Sequence, residues 1–176
     1  MSQAHGPWIA EGSAFVRMGL KGTRAAQWLT QARIGVPPQP NSWSPLNPSD
    51  SSWGVVARLG STEFFLEDES PGGHIDALRN ALAEGVPQVY PVLRQDRALV
   101  LGGQGAEGVL AQVCNVDFAG LDLGSNAAVL TLMIGVAVLV VPQQQESVRR
   151  YRIWCDPTFG EYLSIALETI VDEAGG

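Results

Sequence analysis

Side chains able to do covalent, redox or metal chemistry are few in this 176-residue chain, and none stands at a working spacing. His5 and His74 are far apart and lack companions at metal-ligand spacing. Cys114 and Cys155 form no Cys-x-x-Cys pair, so neither a zinc nor an iron–sulfur motif is present. A nucleophilic Cys114 would want a histidine near it, and none can be nominated, so it reads as a buried thiol. The run Gly102–Gly108, GGQGAEG, matches neither the dinucleotide nor the P-loop spacing and reads as a tight turn. No serine sits in a nucleophile elbow. Asp68–Glu69 and Asp156 precede two helix patterns at matching places. Acid–base work is the chemistry they offer, but carboxylates there ordinarily cap a helix and complement its dipole. Asp117, after Asn115, reads as a turn residue.

The aromatic residues carry more information. Trp43, Trp53, Tyr90, Tyr151 and Trp154 lie in or beside expected loops and strand ends. Tryptophan is enriched at the centres of protein interfaces. Trp43 sits among prolines and serines on a stretch expected to run over the surface. Trp154 suits core filling equally well. The candidate interface residues are therefore Trp43, Trp53 and Trp154, with no catalytic, cofactor-binding or metal-binding residue nominated.

Two units of the same kind hold these residues. Ala98–Leu101 is an apolar run, three glycines follow, and Val109, Leu110 and Val113 then recur at helical spacing: strand, turn, helix. Gly19–Gln31 repeats that order. Offset by 81 positions, Leu20 falls on Leu101, Gly22 on Gly103 and Leu29 on Leu110. A second echo, offset by 87, sets Phe64–Leu82 against Tyr151–Thr169, each an apolar stretch, acidic turn residues and a helix. On that alignment Tyr162, Ile165 and Thr169 stand opposite Ile75, Leu78 and Leu82, with Leu163, Ala166 and Ile170 completing the face. The fold class is α+β with mainly antiparallel sheets, as two tandem subdomains sharing one core. The boundaries are 14–85 and 86–176, after a loose N-terminal arm at 1–13.

Between these landmarks, Thr23 is a plausible N-cap for a helix to Gln31. Val36–Ser52 holds five prolines, so no regular element is expected there. Ala127–Val141 carries no charge, but its 15 residues fall short of the about 20 that a membrane helix needs. It reads as two buried strands, Ala128–Met133 and Val136–Val141, turning at Ile134–Gly135. A net charge of −7 leaves no footprint for nucleic acid or an anionic membrane. Two unpaired cysteines and no leader-like start point to the cytoplasm.

The order FVRMGLKGTRAAQWL, PNSW, VVARLGSTEFFL, RQDRALVLGGQGAEGVLAQVCNVDF, TLMIGVAVLVV and YRIWCDPTFGEYL resembles the gamma subunits of heterotetrameric sarcosine oxidases. More broadly it is similar to the folate-binding domain of the glycine cleavage T-protein, an aminomethyltransferase. The resemblance runs from about Ala14 to Glu173 and implies two repeated α+β subdomains that exchange their first strands. It departs from the T-protein where chemistry would be. The acidic pair preceding the strand matched by Val55–Leu59 is replaced by Ser52 and Trp53, with Asp50 out of register. The glycine-containing loop before Tyr151–Trp154 is replaced by QQQESVRR. The Lys-Gly-Cys motif of related folate-binding assembly factors is missing.

The resemblance thus implies a structural, non-catalytic subunit of a secondary-amine-oxidising complex of one-carbon metabolism. Larger oxidase subunits would be its partners, carrying any flavin, NAD and tetrahydrofolate, with no cofactor on this chain. Two alternatives are a stand-alone folate-binding or aminomethyltransferase-like protein, and a homodimeric interaction protein.

Overall fold

Met18 and Leu20 point to one side of an extended chain and Arg17 and Gly19 to the other, and this alternation places Val16–Lys21 inside a sheet covered by helices. The computed structural model describes residues 6–49, 52–69 and 73–175. Its strands are β1 (Trp8–Glu11), β2 (Val16–Lys21), β3 (Ser42–Pro45), β4 (Val55–Arg58), β5 (Glu63–Asp68), β6 (Tyr90–Val92), β7 (Arg97–Gly102), β8 (Val129–Met133), β9 (Val136–Gln145) and β10 (Val148–Cys155). Its helices are α1 (Ala25–Gln31), α2 (His74–Ala83), α3 (Ala106–Val113) and α4 (Gly160–Gly175).

The chain divides into two units. The first holds residues 14–95 and 126–128; the described residues of the second are 6–13, 96–125 and 129–175. The first contains a five-stranded antiparallel sheet of order β3-β4-β5-β2-β6, the second one of order β8-β9-β10-β7-β1. In chain order within each repeat these are the same sheet. The repeat offsets also agree with the strand pairing. Leu20 pairs with Phe64 in the first sheet, and Leu101, 81 residues on, pairs with Tyr151, 87 residues on from Phe64.

Three expectations are corrected. The arm at 1–13 is not loose over its described part: Trp8–Glu11 is β1, paired with β7 of the second unit. Its counterpart β6, from the chain after α2, pairs with β2 of the first. Each first strand thus belongs to the other repeat's sheet, the exchange the resemblance implies. Second, the proline-rich stretch is not irregular throughout, because Ser42–Pro45 forms β3 on the outer edge of β4. The outer side of β3 bridges to Ala127 at Ser42 only, so Pro45, three residues on, sits where among the described residues no strand asks for its N–H. Asp50 and Ser51 lie outside the described residues. Third, the buried face of α4 is Gly160, Leu163, Ser164, Leu167 and Val171, while Tyr162 and Ile165 are exposed. The buried leucines and valine of α4 fall one to two residues later than the buried positions of α2 on that alignment, so the offset of 87 holds in the strands and fails in the helix.

In the first unit Met18, Leu20, Val56, Phe64 and Leu66 pack with Leu29, Ile75, Leu78 and Leu82 of the helices. In the second, Leu99, Leu101, Val138, Val140, Tyr151 and Ile153 pack with Val109, Leu110, Leu163 and Leu167. Ile134 and Gly135 both take positive φ, 50° and 81°, and turn the β8–β9 hairpin where the sequence predicts it. The strain on a β-branched residue there is offset by an Ile134 N–H bond to the Val113 carbonyl at 2.8 Å and by packing on the core.

Candidate functional site

The residues flagged for chemistry remain apart. Cys114 is half-buried and its thiol donates to the Leu110 carbonyl, while Cys155 is buried and burial pushes its thiol up from the ordinary value. Asp156 accepts from the Thr158 N–H at 2.8 Å, as a capping residue does. Asp117 accepts from the Gly120 N–H and is a turn residue. Thr23 does not cap α1; its hydroxyl donates to the Gln88 amide oxygen. His74 stands 3.9 Å from the buried Asp68, too long for a hydrogen bond. Among the described residues no group of three or more histidine, cysteine or acidic side chains could hold a metal.

One polar constellation is built by the fold of the second unit. The glycine turn before α3 sets Glu107 in that helix's first turn. The Tyr151 hydroxyl of β10 donates to Glu107 Oε1 at 2.7 Å, and Arg149, from the end of the QQQESVRR hairpin, donates to the same oxygen at 3.0 Å. Arg149 also reaches the Gln144 amide oxygen. Burial pushes the Glu107 carboxyl up, but hydrogen bonds from the Tyr151 hydroxyl, its own backbone and Arg149 outweigh it and leave it below the ordinary 4.5. Burial, then the bond to Glu107 and that carboxylate's charge, raise the Tyr151 phenol above its ordinary 10. A protonated phenol and an ionised carboxylate locked together at neutral pH are a structural clamp, with neither group poised to exchange a proton. The clamp ties the replaced loop to the helix.

The signs give a test. A lowered carboxyl contributes stability above the unfolded value, lost as pH falls below about 4.5. A raised phenol contributes stability below the unfolded value near 10, lost as pH climbs past it. Tyr151→Phe will cost about 1.5 kcal/mol at pH 7, the low end for a charge-assisted bond because Glu107 and Arg149 stay partly solvated. Urea unfolding at pH 7 and pH 10.5 reads it; a loss that does not shrink at the higher pH refutes the clamp.

The three interface tryptophans separate. Trp154 is 2% exposed and lies within 5.5 Å of the Arg152 guanidinium, so it is an interior residue with no surface to offer a partner. Trp43 is half-buried on β3 opposite Ala57, rather than free on a surface loop. Its indole nitrogen is shielded and makes no hydrogen bond among the described residues. Trp53 is half-buried just before β4. Neither Ser52 nor Trp53 can supply the carboxylate that the T-protein pattern calls for.

Open hollows lie in the first unit among the described residues. One, about 330 Å³, runs between α1 and α2 and is lined by Trp28, Ile34, Ala77, Leu78 and Ala81 with His74 at its edge. Another, about 390 Å³, lies at the glycine turn beside Lys21, Thr23, Gln88 and Tyr90. Neither gathers a charged cluster. Sequence reasoning missed the Glu107 clamp and a buried Arg17–Glu67 ion pair at 2.8 Å. A charged pair directly opposed on β2 and β5 is detectable once the register is known.

No protein-family model matches the chain. The chain is similar to a curated protein, sarcosine oxidase subunit gamma of Corynebacterium sp. (strain U-96), at 31% identity over 100 residues. The match spans 57% of this chain and about half, 49%, of that relative's length. In fold it is similar to a chain of heterotetrameric sarcosine oxidase from Corynebacterium sp. U-96, with a TM-score of 0.76 at 24% identity, covering 99% of this chain and 88% of that one. It is also similar to glycine cleavage system aminomethyltransferase T from Bartonella henselae, with a TM-score of 0.62 at 16% identity over 92% of this chain and 45% of that one. The fold is the two-sheet α+β architecture of these neighbours. No helix among the described residues is long and apolar enough to cross a membrane.

Proposed function

We propose that this chain is a non-catalytic accessory subunit of a sarcosine oxidase-type complex that oxidises secondary amines, with flavin, NAD and tetrahydrofolate carried by larger partner chains. The observation that carries the reading is the likeness to one chain of a heterotetrameric oxidase over nearly the whole of both chains, joined to a 31% identical stretch of a gamma subunit. Replacement of the T-protein's acidic pair by Ser52 and Trp53, and the closing of the QQQESVRR hairpin onto Glu107, support a scaffold rather than a transferase.

The test is affinity purification of the tagged chain from its own host. Stoichiometric large chains with flavin absorbance and sarcosine-dependent peroxide production are the expected result. A chain that purifies alone, or with chains that carry no flavin, overturns it. Tetrahydrofolate titration of the isolated chain discriminates the alternative, since micromolar binding favours a stand-alone folate protein.

Trp43 and Trp53 are the surviving interface candidates of the sequence reading. Trp43→Ala is expected to weaken assembly by about 2 kcal/mol, as for a central aromatic anchor, while the isolated variant still unfolds cooperatively. Melting and co-purification are measured side by side. A sharply lowered melting point with unchanged assembly of the folded fraction makes Trp43 a core residue only.

A further inference from the structure

The outward face of α4 has no partner within its unit. Tyr162 and Ile165 of the helix are 54% and 57% exposed and three apart on one side of it, and Phe159, 52% exposed at the end of the 3-10 turn that leads into the helix, extends the stripe. Glu161, Glu168 and Asp172 follow one another at intervals of seven and four, so they form a row beside that stripe. Among the described residues none of these three makes an ion pair, and neither does Glu173. From Ile153 to the end of the sequence there are five acidic residues and no lysine, arginine or histidine.

Three large apolar side chains on an exposed helix and the turn leading into it exceed what solubility calls for. The carboxylate row narrows what can cover them. A membrane surface or nucleic acid repels it, and an acidic protein surface would bury like charges together. An apolar groove with a cationic rim satisfies both halves of the face at once. We infer that the stripe Phe159–Tyr162–Ile165 and the row Glu161–Glu168–Asp172 dock into an apolar groove rimmed by lysine and arginine on a large chain of the complex. The inference rests on the accessory-subunit reading and names the surface that reading requires. The apolar stripe supplies affinity, and the carboxylates supply orientation and a salt-dependent association rate.

The experiment compares tagged wild-type chain with Tyr162→Ser/Ile165→Ser and Glu161→Lys/Glu168→Lys, each incubated with the flavin-bearing chains that co-purify with the wild type. All the altered positions are exposed, so unfolding midpoints stay within a few degrees of wild type. Both variants are expected to bind at least tenfold more weakly, and raising salt from 0.05 to 0.3 M weakens the wild type but not the charge-reversed variant. Leu130→Ser, equally exposed on β8, leaves binding unchanged. Folded variants that bind as the wild type overturn the docking face alone. Loss of binding with Leu130→Ser only moves the interface to β8 and overturns it too. Self-association of the isolated chain that the α4 variants abolish makes a second copy the occupant and rejects the inference. A wild type that retains no flavin-bearing chain overturns the accessory reading, and the inference falls with it.

Discussion

Replacing Gly22 or Gly103 by alanine will destabilise the protein by about 3 kcal/mol or more at either position, the sum of backbone strain and a collision with main chain. Both glycines have positive φ, 141° and 89°. A Cβ on Gly22 would collide with the Gln88 carbonyl, and one on Gly103 with the Gly6 carbonyl. Gln88 and Gly6 each stand two residues before an exchanged strand, β6 and β1 respectively. Each glycine is therefore the place where the exchanged strand's backbone presses on the turn between strand and helix. Neither turn can relax without shifting a paired strand. Gly108→Ala is the control, because it lies within α3 with nothing within 4 Å of a Cβ. That change should be neutral or stabilising by up to about 1 kcal/mol. Urea unfolding of the three variants reads all of this. If Gly103→Ala stays within 1 kcal/mol of wild type, the pinning of β1 is wrong.

Arg17→Met will cost about 1.5–3 kcal/mol, because it removes a charge-assisted bond between directly opposed, buried side chains. The two side chains are 9% and 0% exposed and meet at 2.8 Å across β2 and β5. Glu67→Leu should cost a comparable amount for the same reason. The double variant should lose less than the two singles together by about 1.5 kcal/mol or more, since the charges leave as a pair. A double-mutant cycle on equilibrium unfolding measures the coupling. Strict additivity would mean that each charge is held by other groups and that the 2.8 Å contact contributes little.

Much of the architecture was legible because it is local. The β8–β9 hairpin, the capping role of Asp156 and the turn at Asp117 follow from a few consecutive residues. The repeat was legible because β2 and β7, and β5 and β10, kept their apolar spacing, which was enough to set Leu20 against Leu101 and Phe64 against Tyr151 as equivalent positions; the structure then pairs Leu20 with Phe64 and Leu101 with Tyr151. β1 and β3 were not legible. Trp8–Glu11 and Ser42–Pro45 are four residues long with little strand character of their own, and pairing with β7 and β4 makes them strands. The Glu107 clamp was hidden for the same reason, its members being 42 and 44 residues apart in sequence.

By itself, then, the sequence determined that there are two copies of one α+β unit and that no metal, nucleophile or phosphate motif runs along the chain, because repeats and motifs are properties of spacing. Only the tertiary structure decided that residues 8–11 of the supposed arm are the first strand beside β7, that Trp154 is interior and that α4 turns Tyr162 and Ile165 outward. Edge pairing depends on unpaired backbone groups of distant segments finding each other. The buried face of α4 is set by which of its apolar residues pack on the second unit's core, where Leu163, Leu167 and Val171 join and Tyr162 and Ile165 do not, and their apolar character alone does not distinguish them.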